Sequence, residues 1–586
     1  MNDLTQTAKL WSIEPGYRDV FGKWHDSNPQ TLTRLVAALS AGRARVPQNQ
    51  AATELLRAYQ GDGRRHWALA VQLYGVRSRR NWGHGDFTDL AKLIGIAAAC
   101  GVAGIGLNPL HALFPDRAEA ASPYAPNSRL FLNPLYVDVE AVPEFRGIVA
   151  AELENEVAAL RDTPLIAYAR VAGVKMAALR SAFEIFQEQE SAQRQAGFAD
   201  FRKERGEALF AFACFEVLRR KYPGTLWQDW PQPWRKPSRA QLAEFRQENS
   251  QACEFHEFVQ WEADRQLKAC CEAAHRLGLP IGLYIDLAVG IDPQGADAWS
   301  RQDIVLADFS VGAPPDTYNP SGQNWGLAPI NPHALVDDDF ESMRQLLRAA
   351  MRYAGAIRID HVLGLKRLFM IPRGSPAADG VYVGFPFEAL LRIVAEESNR
   401  HRCIVIGEDL GTVPEHFRAE LSKWGLWGYR VMMFERDGEG RFLPPEVYPA
   451  DVLASFNTHD LPSFRGWITG HDLRAKRAIG IDLAETESTR APALEYIRKT
   501  LAVYASDFLA DDFAAVAAFL AATPSRLAAV SIEDVIGEVE QTNVPGTVEQ
   551  HPNWRRKLSV LLEDLEMHEG LLRVARAFAD RGRSAA

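Results

Sequence analysis

Cysteine is scarce, with six in 586 residues, and Cys100, Cys214, Cys253, Cys270, Cys271 and Cys403 never form a Cys-x-x-Cys pair. This argues against zinc-ribbon and thioredoxin-like motifs and for reduced, buried thiols rather than a disulfide framework. An excess of basic residues is also missing. The formal net charge is −10, which argues against a general nucleic-acid binder but not against an uncharged ligand. No apolar run reaches the roughly 18–20 residues of a membrane span. The N-terminal stretch MNDLTQTAKLWSIEPG lacks the basic-then-apolar order of a signal peptide, so the expectation is a cytoplasmic protein without membrane contact. Internal repeats and low-complexity segments are absent. No tightly spaced His or Cys set suggests a metal, and no cofactor is expected.

What is present is an alternation of short apolar runs and helical patterns. Hydrophobic residues make up 47% of the chain, enough for a large core. Residues 1–60 read as a short helical N-terminal segment, with TLTRLVAAL its clearest amphipathic piece. WALAVQLYGV (67–76) and VAGIGLNPL (102–110) read as strands flanking a helix in GDFTDLAKLIGIAAAC (85–100), where Leu90, Leu93, Ile94 and Ala97 recur at helical spacing. That is a βαβ unit, hence parallel strands. The rhythm breaks over 145–275, a mostly helical insertion. It then resumes with PIGLYIDLAV (280–289), AIRIDHV (356–362), CIVIGEDLG (403–411), YRVMMF (429–434), VLASFNTHD (452–460) and LAAVSIEDV (527–535). The eight runs predict an α/β fold, a TIM (β/α)8 barrel, with its first part in 61–144 and the remainder, carrying helical excursions, in 276–586.

Several of these strands end in polar groups. YIDL supplies Asp286, IRIDH supplies Arg358, Asp360 and His361, IGEDLG supplies Glu408 and Asp409, and NTHD supplies His459 and Asp460. Each has an ordinary reading alone: an Arg–Asp ion pair, a satisfied loop end, a capping histidine. Together, at strand ends that converge on one barrel mouth, they suit glycoside chemistry. A retaining enzyme needs two carboxyl groups about 5–5.5 Å apart, and adjacent strands lie about 4.8 Å apart. Asp360 and Glu408 end the fourth and fifth strands. Arg358 is expected to lower the pKa of Asp360, as a nucleophile requires. Glu408 should be held protonated as the general acid. Asp460 is expected to bind sugar hydroxyls and stabilise an oxocarbenium-like transition state, with His361 and His459 donating hydrogen bonds to the same ring. The trio does not separate transfer from hydrolysis, which share the first half-reaction, and a non-enzymatic glucan-binding barrel is a second alternative.

IRIDHVLGLKRLF, IGEDLGTVP and SFNTHDLPSFRGW resemble the catalytic segments of the 4-α-glucanotransferases, or amylomaltases, in family 77 of the glycoside hydrolases and the α-amylase clan. SPYAPNSRLFLNPLYVDV (122–139), VGAPPDTYNPSGQNWGLAPINP (311–332) and QTNVPGT (541–547) are similar to that family and not to α-amylases in general. The resemblance runs from Trp67 to about Leu562. It implies transfer of α-1,4-glucan segments from maltooligosaccharides and α-1,4-glucans to an acceptor 4-hydroxyl, through a covalent intermediate. It makes Asp360 the nucleophile, Glu408 the acid/base and Asp460 the transition-state stabiliser. It places Arg358, His361 and His459 around the scissile glucose, Tyr124 stacked on a sugar, Gln323 and Trp325 on a glucan-binding loop, Asn543 near the acceptor, and Asp286 as a subsite-organising residue. The segment before Trp67 is shorter than in many bacterial relatives.

Overall fold

The computed structural model describes residues 2–18, 22–47, 55–117, 121–147, 151–188, 191–315, 321–411, 413–481, 483–508 and 512–584. Residues 316–320 of the VGAPPDTYNPSGQNWG stretch and Thr412 of IGEDLGTVP lie outside them.

Eight parallel strands form the centre: β1 (His66–Val71), β2 (Gly104–Leu107), β3 (Gly282–Leu287), β4 (Ala356–Ile359), β5 (Ile404–Gly407), β6 (Gly428–Val431), β7 (Val452–Ser455) and β8 (Leu527–Ser531). Each lies within one of the runs read from sequence or starts one residue before it. They hydrogen-bond in the order β5–β4–β3–β2–β1–β8–β7–β6. The ring closes between β5 and β6, where the Trp427 amide donates to the Val405 carbonyl (2.9 Å) and the Gly407 amide to the Trp427 carbonyl (2.8 Å). This is a TIM barrel. Every residue of β2, β4, β5 and β7 is buried, which explains why these strands do not alternate apolar and polar; Arg358 in β4 and Ser455 in β7 are the buried polar exceptions.

Between β2 and β3 the chain makes the long helices Tyr168–Glu188, Ala192–Lys221 and Ser250–Arg276. Phe183, Phe186, Phe198, Phe258 and Trp261 interlock between them. Lys175 is buried there and donates to the carbonyls of Leu135 (2.7 Å) and Val137 (2.9 Å). It is held among Asp86, Asp89 and Asp138, so nearby negative charge and hydrogen bonds offset the cost of burying this cation.

A second, antiparallel sheet is not among the elements read from sequence. Phe309–Ala313, Gln323–Leu327, Arg367–Pro372 and Val381–Gly384 form four strands. Their apolar face, Val311, Leu327, Leu368, Met370, Val381 and Val383, packs on Leu32, Leu35 and Leu39 of the N-terminal helix Pro29–Ser40. This sheet carries Gln323 and Trp325.

Two glycines test the packing. Gly355 enters β4, and a Cβ there would lie 2.0 Å from the Ile281 carbonyl oxygen. Gly355→Ala should therefore cost about 1–3 kcal/mol through forced backbone separation. Gly95 lies inside the helix Phe87–Ala99, and a methyl group added there would meet nothing within 4 Å. Gly95→Ala should therefore gain about 0.5–1 kcal/mol. Chemical denaturation of the two variants beside the parent checks both signs.

Candidate active site

The parallel register sets the site. Ile359 of β4 pairs with Gly407 of β5, and Arg358 with Asp286 of β3. The residues immediately beyond, Asp360 and Glu408, therefore emerge level and side by side. The Glu408 amide donates to the Ile359 carbonyl (3.0 Å) and the Asp360 amide to the Leu287 carbonyl (3.1 Å), carrying the strand hydrogen bonding into the mouth. His361 then turns into the left-handed region, φ 46°, a backbone strain of about 1–3 kcal/mol for a non-glycine residue. The turn aims the His361 amide at Glu408 Oε2 (3.0 Å), while the Leu410 amide holds Oε1 (2.8 Å).

Arg358 Nη1 lies 2.8 Å from both oxygens of Asp286 and 2.9 Å from Asp360 Oδ1. Arg358 and Asp286 are buried. Tyr124 closes the group by donating its hydroxyl to Asp286 Oδ2 (2.5 Å). Its ring stacks on His459, centroids 4.8 Å apart, and its oxygen lies 3.3 Å from His459 Nδ1. On the opposite wall, Asp460 Oδ1 accepts from Asn543 Nδ2 (2.5 Å) and Oδ2 lies 3.4 Å from His459 Nε2. Trp325 meets His361 edge to face at 5.1 Å and donates its indole N–H to Gln323 Oε1 (3.2 Å).

The carboxyl groups are tuned apart. Burial pushes Asp360 up to about 6 against the opposing pull of Arg358. Arg358 thus lowers the Asp360 value as expected, but burial outweighs it and the net shift, against expectation, is upward. The guanidinium is shared with Asp286, and the enclosed mouth penalises the anion more than half a partner relieves it. Burial also raises Glu408, against Arg358 and the two amides that favour its anion. Desolvation pushes Asp460 upward too, but His459, Asn543 and Arg358 overcome it and leave the carboxyl below its usual value. The Asp460 side chain is 45% exposed and Asp360 19%, so Asp460 meets the cleft more openly.

Asp360, Glu408 and Asp460 share a cleft of about 670 Å³ with Tyr124, Gln323, Trp325, Arg358, His361, His459 and Asn543. Asp286 lies one layer deeper, behind Tyr124 and Arg358. Asp409 turns away: it is buried against Tyr429, whose amide donates to it (2.8 Å), with Arg418 (2.7 Å) and Arg430 (3.2 Å). Sequence reasoning missed Trp554, which packs on Tyr124 (5.4 Å) and His459 (5.2 Å), and Phe434, exposed on the rim. Trp554 stands in HPNWRR, a polar stretch without periodicity; its positive φ of 60° is visible only in the fold. Among the described residues no group of three or more His, Cys, Asp or Glu could hold a metal ion, and no helix is long and apolar enough to cross a membrane.

The family model for 4-alpha-glucanotransferase matches residues 71–563. The 4-alpha-glucanotransferase of Mycobacterium tuberculosis is 39% identical over 534 residues, covering 86% of this chain and 73% of that one. That of Haemophilus influenzae is 34% identical over 545 residues, covering 87% and 78%. The crystal structure of amylomaltase from Corynebacterium glutamicum superposes with a TM-score of 0.83 at 28% identity, covering 98% of this chain and 99% of that one. The fold, the match along the barrel and these relatives together show that the chain belongs to the 4-alpha-glucanotransferase family, enzymes that move α-1,4-glucan segments from a donor to an acceptor sugar.

Proposed function

We propose that Asp360 is the nucleophile, Glu408 the general acid and base, and Asp460 the residue that steadies the transition state of this transfer, acting on maltooligosaccharides and α-1,4-glucans. The observation that carries the assignment is the level emergence of Asp360 and Glu408 from neighbouring strands, with Asp460 facing them across one cleft. Asp360 attacks the anomeric carbon as Glu408 gives its proton to the departing glycosidic oxygen. The C1–O bond breaks and a glucosyl ester on Asp360 forms. Glu408, now a carboxylate, takes the proton from an incoming sugar 4-hydroxyl, whose oxygen displaces Asp360 and restores the α-link. Asp460, ionised and braced by Asn543 and His459, faces the positive charge that develops on the ring. Arg358 holds Asp360 in place and favours its charged form. Tyr124 and Trp554 offer aromatic surface to an apolar sugar face, and Trp325 and Gln323 form the wall beside His361. Transfer exceeds hydrolysis when the acceptor is held in position better than water, a proximity effect.

Incubation with maltotriose alone should yield glucose and a ladder of longer maltooligosaccharides; a product set confined to glucose and maltose would assign hydrolysis instead. Glu408→Gln should lower kcat by roughly 10²–10⁴-fold, the usual worth of a general acid, measured by release of glucose from maltotriose.

The pH dependence follows from the pair. Asp360 and Glu408 titrate together, and the productive form carries one proton, on Glu408. Activity is lost as pH falls and Asp360 protonates, and lost again as pH rises and Glu408 ionises, giving a bell. Arg358 stabilises the Asp360 anion, so Arg358→Gln should raise the Asp360 pKa and move the acid limb of kcat/KM to higher pH. A limb that stays in place would remove that role from Arg358.

A further inference from the structure

Beneath the cleft lies a smaller chamber of about 100 Å³ inside the barrel mouth, lined by both polar and apolar groups and large enough to hold water. Tyr124, Asp286, Arg358 and His459 form its roof, and Glu533 lies on its wall, in the first turn of the helix Ile532–Ile536 that follows β8. The mechanism above does not use Glu533. Among the described residues its carboxyl has no hydrogen-bond donor except its own backbone amide. Two polar atoms nearby are buried without a protein partner: Gln72 Oε1, on the chamber wall, and the hydroxyl of Tyr74, which feels the Glu533 charge. Buried polar groups of this kind are normally satisfied by ordered water.

The roof fixes the protonation of His459. Tyr124 donates its single hydroxyl proton to Asp286, so toward His459 Nδ1 its oxygen can only accept. On the other side of the ring, Nε2 faces the Asp460 carboxylate. Both contacts are attractive only if both ring nitrogens carry protons, which makes His459 an imidazolium. Enclosure opposes that charge, and the neighbouring anions overcome it, so His459 lies above its ordinary value. The ionisable groups facing His459 are Asp460 on its own loop, Tyr124, Asp286 on β3, Arg358 on β4 and, from below, Glu533. Those facing Glu533 are His459, Tyr74 on the loop after β1, and Asp534 and Glu538 on its own segment; Glu540 shares the chamber wall.

We propose that Glu533 is a positioning residue: through water held in this chamber, its carboxylate sustains the imidazolium form of His459 and thereby the hydrogen bonds that aim Asp460 and Tyr124 at the sugar. Burial and the adjacent Asp534 and Glu538 push the Glu533 carboxyl up to about 7, so its charge changes near neutral pH. Above that value the added negative charge supports His459; below it, His459 is protonated without help. The consequence for catalysis rests on the roles assigned above, but the coupling of Glu533 to His459 does not.

The test compares the parent enzyme with Glu533→Gln, which keeps the shape of the side chain, and with Glu533→Asp, which keeps the charge. Nitrogen-15 NMR of the histidine rings reads His459 directly, assigned by its loss in His459→Gln. In Glu533→Gln the His459 titration should move down, as loss of a nearby negative charge requires, and Glu533→Asp should restore most of the shift. In kcat/KM, Glu533→Gln should lose activity on the alkaline side and stay within a few-fold of the parent at pH 5.5 (about three-fold at most, by the same charge argument). An unchanged His459 titration in Glu533→Gln overturns the proposal, as does an equal loss of activity at every pH. Should Glu533→Gln fail to fold, carboxyl carbon-13 NMR of the parent decides: a glutamate titrating near neutrality with a matching inflection at His459 supports the coupling, and its absence overturns it. A moved His459 titration with an unmoved activity profile would leave the coupling standing and reject the role assigned to His459 in catalysis.

Discussion

One guanidinium nitrogen holds the site together. Arg358 Nη1 touches both oxygens of Asp286 and one of Asp360, and Tyr124 binds the same Asp286 from the other side. A buried cation between two carboxylates is stable only where each partner is supplied in register. Here β3 and β4 supply them, with Arg358 opposite Asp286 and Asp360 just past the strand end. A slip of one residue between these strands would send Arg358 to the outer face of the barrel. The tight fit of Gly355 against the Ile281 carbonyl guards that register at the start of the same strand.

From this centre the tuning of the remaining carboxyl groups follows. Burial raises Asp360, to near 6, and Arg358, divided between two anions, does not cancel it. Glu408 is raised too, though two backbone amides and Arg358 favour its charged form. Asp460 is more open to the cleft and has its own partners in Asn543 and His459, and it alone of the three is lowered. Three acids on one mouth thus differ in how each is enclosed and braced: Asp360 and Glu408 are raised by burial, and Asp460 is lowered by its partners. The second sheet, backed by the N-terminal helices, extends one wall of the cleft with Gln323 and Trp325, and the loop after β8 extends the other with Asn543 and Trp554.

The barrel and its acids were legible in the chain because their signals are local. IRIDH, IGED and NTHD each place a polar group directly after an apolar run, and a parallel barrel brings all such points to one face. The small antiparallel sheet was not legible. Its strand Gln323–Leu327 is polar and half-exposed, and Arg367–Pro372 follows the site motif after only the single helical turn Val362–Leu365. Asp409 looked equivalent to Glu408 in sequence, yet it faces Arg418 and Arg430, because successive residues leave a strand on opposite sides.

The sequence by itself determined the eight strands, their order and the three carboxyl groups, since each depends on hydrophobic pattern and on a neighbour one or two residues away. Tertiary structure alone decided which of those groups share a cleft, the upward shift of Asp360, the packing of Trp554 on Tyr124 and His459, and the place of Glu533 under them. Desolvation and ring packing are sums over elements far apart in the chain: Tyr124, His459 and Trp554 meet only because the barrel closes. No local pattern carries that information.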